Sequence, residues 1–90
     1  MPESDTNKEI KYDQSLDTKG LNCPLPVLRA KLVLNKMQPG QILHVEATDP
    51  LSTLDFEAYC ARTGHQIIRM TDAGGVIEFY ICRAENPRKI

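Results

Sequence analysis

The stretch Gly20-Leu21-Asn22-Cys23-Pro24-Leu25-Pro26-Val27 decides how the rest of the chain is read. Proline suits the first turn of a helix, where N–H groups lack intrahelical partners and φ is already set. The spacing therefore predicts a helix that opens here, with Cys23 as N-cap and Pro24 as the first helical residue. Among the first four N–H groups, Pro24 and Pro26 have none to offer, so Cys23 and Leu25 keep the only donors. Leu25 N–H is then the expected donor to the Cys23 sulfur. A sulfur at the positive end of a helix is expected to ionise below the free-thiol value of ~8.5. Cysteine also caps poorly beside Ser, Thr, Asp or Asn, which points to chemistry at this position.

Periodicity organises the flanks. Ser15-Leu16-Asp17-Thr18 reads as a short strand that enters the cysteine loop. The first helix runs from Pro24 to Met37 and stops at Gln38-Pro39-Gly40. Ile42 to Thr48 alternates, with Leu43, Val45 and Ala47 on one face. Asp49 and Pro50 open a second helix as N-cap and N1, and Gly64 closes it after Thr63. His65–Thr71 and Val76–Arg83 are strands around the hairpin turn Asp72-Ala73-Gly74-Gly75. Ile77, Phe79 and Ile81 form the core face of the last strand, whereas His65–Thr71 has no evident inward face.

The order βαβαββ gives an α/β (α+β) two-layer sandwich, a four-stranded mixed sheet with two helices on one face. The domain is expected over residues 13–84, between a flexible tail at 1–12 and a polar tail at 85–90.

The first helix has an uneven surface. Val27, Ala30, Val33, Leu34 and Met37 share the core arc, whereas Arg29, Lys31, Asn35 and Lys36 lie opposite. Leu25, Leu28 and Leu32 fall among those charges and run down the helix from Cys23. They form an apolar stripe with a basic rim, expected to be a docking face for a protein partner.

The motif Gly20-Leu21-Asn22-Cys23-Pro24-Leu25-Pro26 resembles the Cys-Pro-x-Pro signature of the TusA/SirA family of small sulfur carriers. Met37-Gln38-Pro39-Gly40 is similar to the turn after that family's first helix. Asp49-Pro50-Leu51-Ser52-Thr53-Leu54-Asp55 is similar to its second-helix entry. The resemblance covers roughly residues 15–84. The resemblance implies a sulfurtransferase whose Cys23 accepts sulfane sulfur as a persulfide and passes it on, with Pro24, Leu25 and Pro26 shaping the site. It also implies a donor protein, a cysteine desulfurase or rhodanese, and an acceptor protein. The covalent persulfide is the only group required, with no metal, nucleotide or other cofactor. The family serves tRNA thiolation, molybdenum-cofactor sulfur supply and sulfur oxidation. Leu25 departs from the acidic residue associated with the tRNA-thiolation members.

Composition bounds the alternatives. Ninety residues with a net charge of −1 make one small monomeric domain, and the charge disfavours nucleic-acid binding. No apolar run is long enough to span a bilayer. Cys23, Cys60 and Cys82 are odd in number and far apart, which suits a reducing cytoplasm better than a disulfide framework or a zinc site. Cys60 shares an arc with Phe56 and Tyr59 and is expected to be buried. Cys82 reads as structural or incidental. Asp49 is expected to cap, Asp55 to be a surface charge or part of a partner site, and His44 and His65 to be surface or turn residues without a catalytic partner. Two rival functions remain: a thiol redox protein, which would want a nearby resolving cysteine, and a regulatory or RNA-binding module. The C-terminal domain of translation initiation factor three has a related βαβαββ fold and contacts RNA.

Overall fold

The computed structural model describes residues 10–88, so the tail expectations for 1–9 and 89–90 lie outside the described residues. The elements follow in the expected order: β1 Gln14–Thr18, α1 Leu25–Leu34, β2 Ile42–Ala47, α2 Ser52–Thr63, β3 Gln66–Ala73 and β4 Val76–Cys82. They form one mixed sheet in the order β1-β2-β4-β3. β1 and β2 are parallel, with Thr18 beside Ala47, and α1 makes the crossover between them. β4 lies antiparallel to both β2 and β3. The hairpin turn is narrower than the sequence suggests. Gly74 and Gly75, at φ 63° and 86°, are its central pair, a backbone that glycine adopts without a Cβ penalty.

Period-2 burial sets the core. Leu43, Val45 and Ala47 on β2 and Ile77, Phe79 and Ile81 on β4 meet Ala30, Leu34 and Met37 of α1 and Phe56, Tyr59 and Cys60 of α2. Phe56 and Phe79 pack with ring centroids 4.5 Å apart and a 36° tilt, within the geometry favoured by aromatic pairs. Val27 and Val33 are only partly buried against this cluster, while Pro26 is fully buried. The second proline thus fills core space as well as suiting the helix entrance.

Burial of Cys60 pushes its thiol up to about 11, as expected for a neutral apolar filler. Cys60→Ala is expected to lower stability by about 1–2 kcal/mol, since it opens a small cavity. Chemical denaturation measures this, and sulfur transfer should persist.

β3 departs most from its expected form. It is an edge strand, its register shifts between Ile67 and Arg69, and Ile68 and Met70 stay exposed. The bulge explains why no clean inward face was legible: it changes the phase of the alternation midway.

Both helix C-termini are tied down by arginines. Arg83 Nε donates to Leu34 O at 2.9 Å, and Arg88 Nε donates to Arg62 O at 3.0 Å. These contacts satisfy carbonyls that lack intrahelical donors. Gly64, at φ 96°, closes α2 with its N–H on Cys60 O at 2.8 Å, the left-handed stop the sequence predicts.

Candidate functional site

Because β1 and β2 are parallel neighbours, their C-terminal ends lie at one edge of the sheet. The loops that follow, at 19–24 and 48–51, are therefore adjacent, and in α/β sheets this is where binding crevices form. Gly20 N–H donates to Thr48 Oγ1 at 2.9 Å, and Cys23 N–H donates to Asp49 Oδ2 at 2.7 Å. Two segments 26 residues apart are stitched together with Cys23 between them.

The local geometry corrects the expected helix start. Pro24, at φ −102° and ψ 21°, is the N-cap, and α1 begins at Leu25. Pro24 O accepts the first helical bond, from Leu28 N–H at 3.1 Å, which is what defines a cap. Cys23 therefore stands one residue before the cap. Leu25 N–H goes to Asn22 O at 2.8 Å rather than to the Cys23 sulfur, and no side chain caps α1. The Cys23–Pro24 peptide is cis.

The electrostatic expectation is corrected with it. The Cys23 thiol is raised above its ordinary value, not lowered. The first cause is the Asp55 carboxyl, which acts as hydrogen-bond acceptor for the thiol. Desolvation and the negative charges of Asp55 and Asp49 add to it. A hydrogen bond to the neutral form and nearby like charge both oppose ionisation. The thiol is half-buried and free of any disulfide.

Asp49 is likewise displaced from its expected role. α2 begins at Ser52, after an N-cap at Leu51. Asp49 lies earlier and supports the turn: Oδ1 accepts Leu51 N–H at 2.9 Å and its carbonyl accepts Ser52 Oγ–H at 2.7 Å. The Cys23 and Leu51 N–H groups hold its carboxyl below the usual range. A depressed carboxylate stabilises the fold above its unfolded value, and that contribution is lost as pH falls through its folded value. On acidification, the Cys23 amide is expected to lose hydrogen-exchange protection before the β2–β4 ladder does. Equal loss in both would show that Asp49 is not what holds the loop.

Asp55 is the neighbour of Cys23 that sequence reasoning did not attach to it. It lies in the first turn of α2, and its Oδ2 is buried without a hydrogen-bond partner.

Around this pair the surface is apolar. Leu25, Leu28 and Leu32 are 43%, 49% and 62% exposed, and Leu51 and Leu54 at the start of α2 are 53% and 64% exposed. The α1 leucines stand where the helical phase puts them. The second pair escaped notice, although Leu51 and Leu54 are three apart and so share a face. Arg29 and Lys36 are exposed beside the stripe, whereas Lys31 is half-buried.

The histidines are neither exposed nor unpartnered. His44 is buried on the helix-free face of the sheet, with Nδ1 2.9 Å from Ser15 Oγ and Nε2 3.1 Å from Glu78 Oε1. Tyr12 stacks on its ring at 4.9 Å. Ligand-type atoms of His44, Glu46 and Glu78 all lie within 4.8 Å of one another. A cation of the protein already serves this group, as Lys19 Nζ lies 3.0 Å from Glu46 Oε1. His65 is buried as well, and its Nδ1 accepts Ala84 N–H at 2.9 Å. Among the described residues, no helix is long and apolar enough to cross a membrane.

Three comparisons bear on this arrangement. A family model described as sulfurtransferase TusA matches residues 14–83. A sulfur carrier protein TusA from Allochromatium vinosum is 53% identical over 70 residues, 78% of this chain and 92% of that protein. Another, from Pseudomonas fluorescens, is 32% identical over 74 residues, 82% of this chain and 89% of that protein. Among solved structures, a SirA-like protein from Desulfitobacterium hafniense superposes with a TM-score of 0.72 at 28% identity, covering 81% of this chain and all of the other.

Proposed function

The chain belongs to the TusA family of sulfurtransferases, and from that premise we propose that Cys23 carries sulfane sulfur as a persulfide between two proteins. The observation that carries this reading is the free, half-buried Cys23 thiol in the loop whose amide is fixed by Asp49, with the Asp55 carboxyl near enough to raise it and exposed leucines around it. A raised thiol needs its proton taken at the moment of attack, and Asp55 stands where it can accept it.

The step balances without oxidant or reductant. Cys23 S–H gives its proton to the Asp55 carboxylate. The resulting sulfur lone pair attacks the terminal sulfur of a donor protein's persulfide, and the donor's S–S bond breaks as the new one forms. The donor leaves as a thiolate and recovers the proton from Asp55, so a donor persulfide and Cys23 thiol become a donor thiol and Cys23–S–SH. The acceptor protein's thiolate then attacks the outer sulfur by the same displacement, and Cys23 is the leaving group. Asp49, Pro24 and Pro26 hold the loop, with Asp49 fixing the Cys23 amide and Pro26 anchored in the core.

Cys60 favours relay over a dithiol redox cycle. Its thiol is buried and pushed up to about 11, so it is unsuited to resolve an oxidised Cys23. A cytoplasmic setting, with a desulfurase or rhodanese as donor, completes the reading. The test is intact mass after incubation with a persulfide-loaded donor. One added sulfur that alkylation maps to Cys23 is the expected result, and sulfur on another residue would overturn the assignment.

Leu25, Leu28 and Leu32 with Arg29, Lys31 and Lys36 form the face offered to those partners, extended by Leu51 and Leu54. Apolar contact supplies affinity and the basic rim steers an acidic surface. Arg29→Glu with Lys36→Glu is expected to slow transfer from a protein donor about tenfold at low salt and to flatten its salt dependence. Alkylation of Cys23 by a small neutral reagent should keep its rate. Equal slowing of both reactions would place the charges' effect on the cysteine itself.

A further inference from the structure

A cleft of about 420 Å³ lies away from the cysteine loop, where the C-terminal halves of both helices meet the segment after β4. Its lining includes Lys31, Asn35, Tyr59, His65, Arg83 and Arg88. Lys31 is six residues along α1 from Leu25, about 9 Å at 1.5 Å per residue. The lining thus includes three permanent cations and no carboxylate.

The cations are unbalanced. Among the described residues, none of Lys31, Arg83 and Arg88 makes an ion pair. The two guanidiniums are fixed by neutral carbonyls instead. Arg83 uses Nε on Leu34 O and Nη1 on Ala84 O. Arg88 uses Nε on Arg62 O, with Nη2 3.5 Å from Ala61 O. Each arginine is thereby held in place and keeps a terminal nitrogen with no protein acceptor among the described residues. Carbonyl anchoring orients the forks without cancelling their charge, whereas a carboxylate partner would cancel it.

The second observation is His65. Its ring is buried, and Nδ1 accepts the Ala84 amide hydrogen, so the neutral ring carries its proton on Nε2. Nε2 is buried and has no hydrogen-bond partner. Buried donors are normally matched, and an orphan asks for an explanation. Burial, and after it the neighbouring Arg83 charge, hold His65 toward the neutral form, so the position supplies a donor and not a fourth fixed charge.

We infer that this cleft binds a small, multiply charged oxyanion of the phosphate type. Lys31, Arg83 and Arg88 would meet its charge and Asn35 would orient it, with the unpartnered His65 Nε2–H in the wall beneath. Forked guanidiniums and a point ammonium suit phosphate oxygens together. Tyr59 and Pro87 leave apolar wall for a compact organic body. The site uses neither Cys23 nor Asp55 and shares only Lys31 with the face offered to the relay partners.

Inorganic pyrophosphate is the probe, titrated into the full 90-residue chain at low salt and followed by amide and histidine ring NMR. The expected result is saturable shifts at Ala84, Thr63 and Arg88 and at the His65 ring Nε2–H, with the Cys23 amide still. Arg88→Gln and Lys31→Gln should each weaken the midpoint about fivefold, the size of one modest ion pair. Both residues lie outside the fully buried core, so these variants should fold, and unchanged β2–β4 amide shifts would verify it. Non-saturating shifts scattered over every surface lysine and arginine, or folded variants with an unchanged midpoint, would overturn the inference. Because sulfur acceptance at Cys23 is read separately by mass, either proposal can fail without the other.

Discussion

Cys23→Ser is expected to fold normally and to gain no sulfur from a persulfide-loaded donor. The loop is held by the Cys23 backbone, whose N–H reaches Asp49, so the loss of Sγ leaves that anchor in place. A serine hydroxyl cannot stand in, because it does not ionise near neutral pH and forms no stable S–S equivalent. The mass of one added sulfur, present on the native protein and absent from the variant, is the measurement. Cys60→Ala and Cys82→Ala should both accept sulfur, since Cys60 is buried and its thiol is raised. Normal sulfur acceptance by Cys23→Ser would end the proposed mechanism altogether.

Asp55→Asn should separate two properties that usually move together. Removing the carboxylate removes the leading cause of the raised thiol, so the midpoint of Cys23 alkylation against pH should fall. More thiolate at neutral pH should make reaction with a small neutral reagent faster. Relay from a protein donor should instead slow on the order of a hundredfold, the usual scale of losing a positioned proton acceptor. If both reactions accelerate, Asp55 restrains the thiol and takes no proton in transfer. If the alkylation midpoint stays put, the carboxyl is not what keeps Cys23 protonated.

These two residues also show where sequence reasoning reached and where it stopped. Element order, the βαβαββ sheet and the inward positions of β2 and β4 were legible, because strand alternation and helical phase are local patterns. The exposed run Leu25, Leu28 and Leu32 was legible for the same reason. The cap was misjudged by one residue. The Pro-x-Pro run fits a helix whose first residue is Pro24 as well as one whose first residue is Leu25, and only the acceptor of the Leu28 N–H distinguishes them. That step leaves the Cys23 sulfur without the expected Leu25 donor, and the direction of its pKa is set instead by Asp55, desolvation and Asp49. The meeting of Cys23 with Asp49 and Asp55 depends on β1 and β2 being parallel neighbours, a relation across the chain that no local window contains. His65 does lie in the turn between α2 and β3, but the burial of His44 and His65 was not legible, since their partners Ser15, Glu78 and the Ala84 amide are distant in sequence.

The bulged strand β3 has a consequence for life in a crowded solution. A four-stranded open sheet has two borders, and a straight, apolar border strand is a template onto which another chain can add. β3 exposes Ile68 and Met70, the ingredients of such a template. Its register shift between Ile67 and Arg69 kinks the strand and interrupts the regular row of donors and acceptors that an incoming strand would need. Arg69 sets a charge between the two apolar side chains. An edge interrupted at residue 68 is a poor template for ordered stacking, so a variant that straightens β3 is expected to precipitate or form fibrils before it loses any thermodynamic stability.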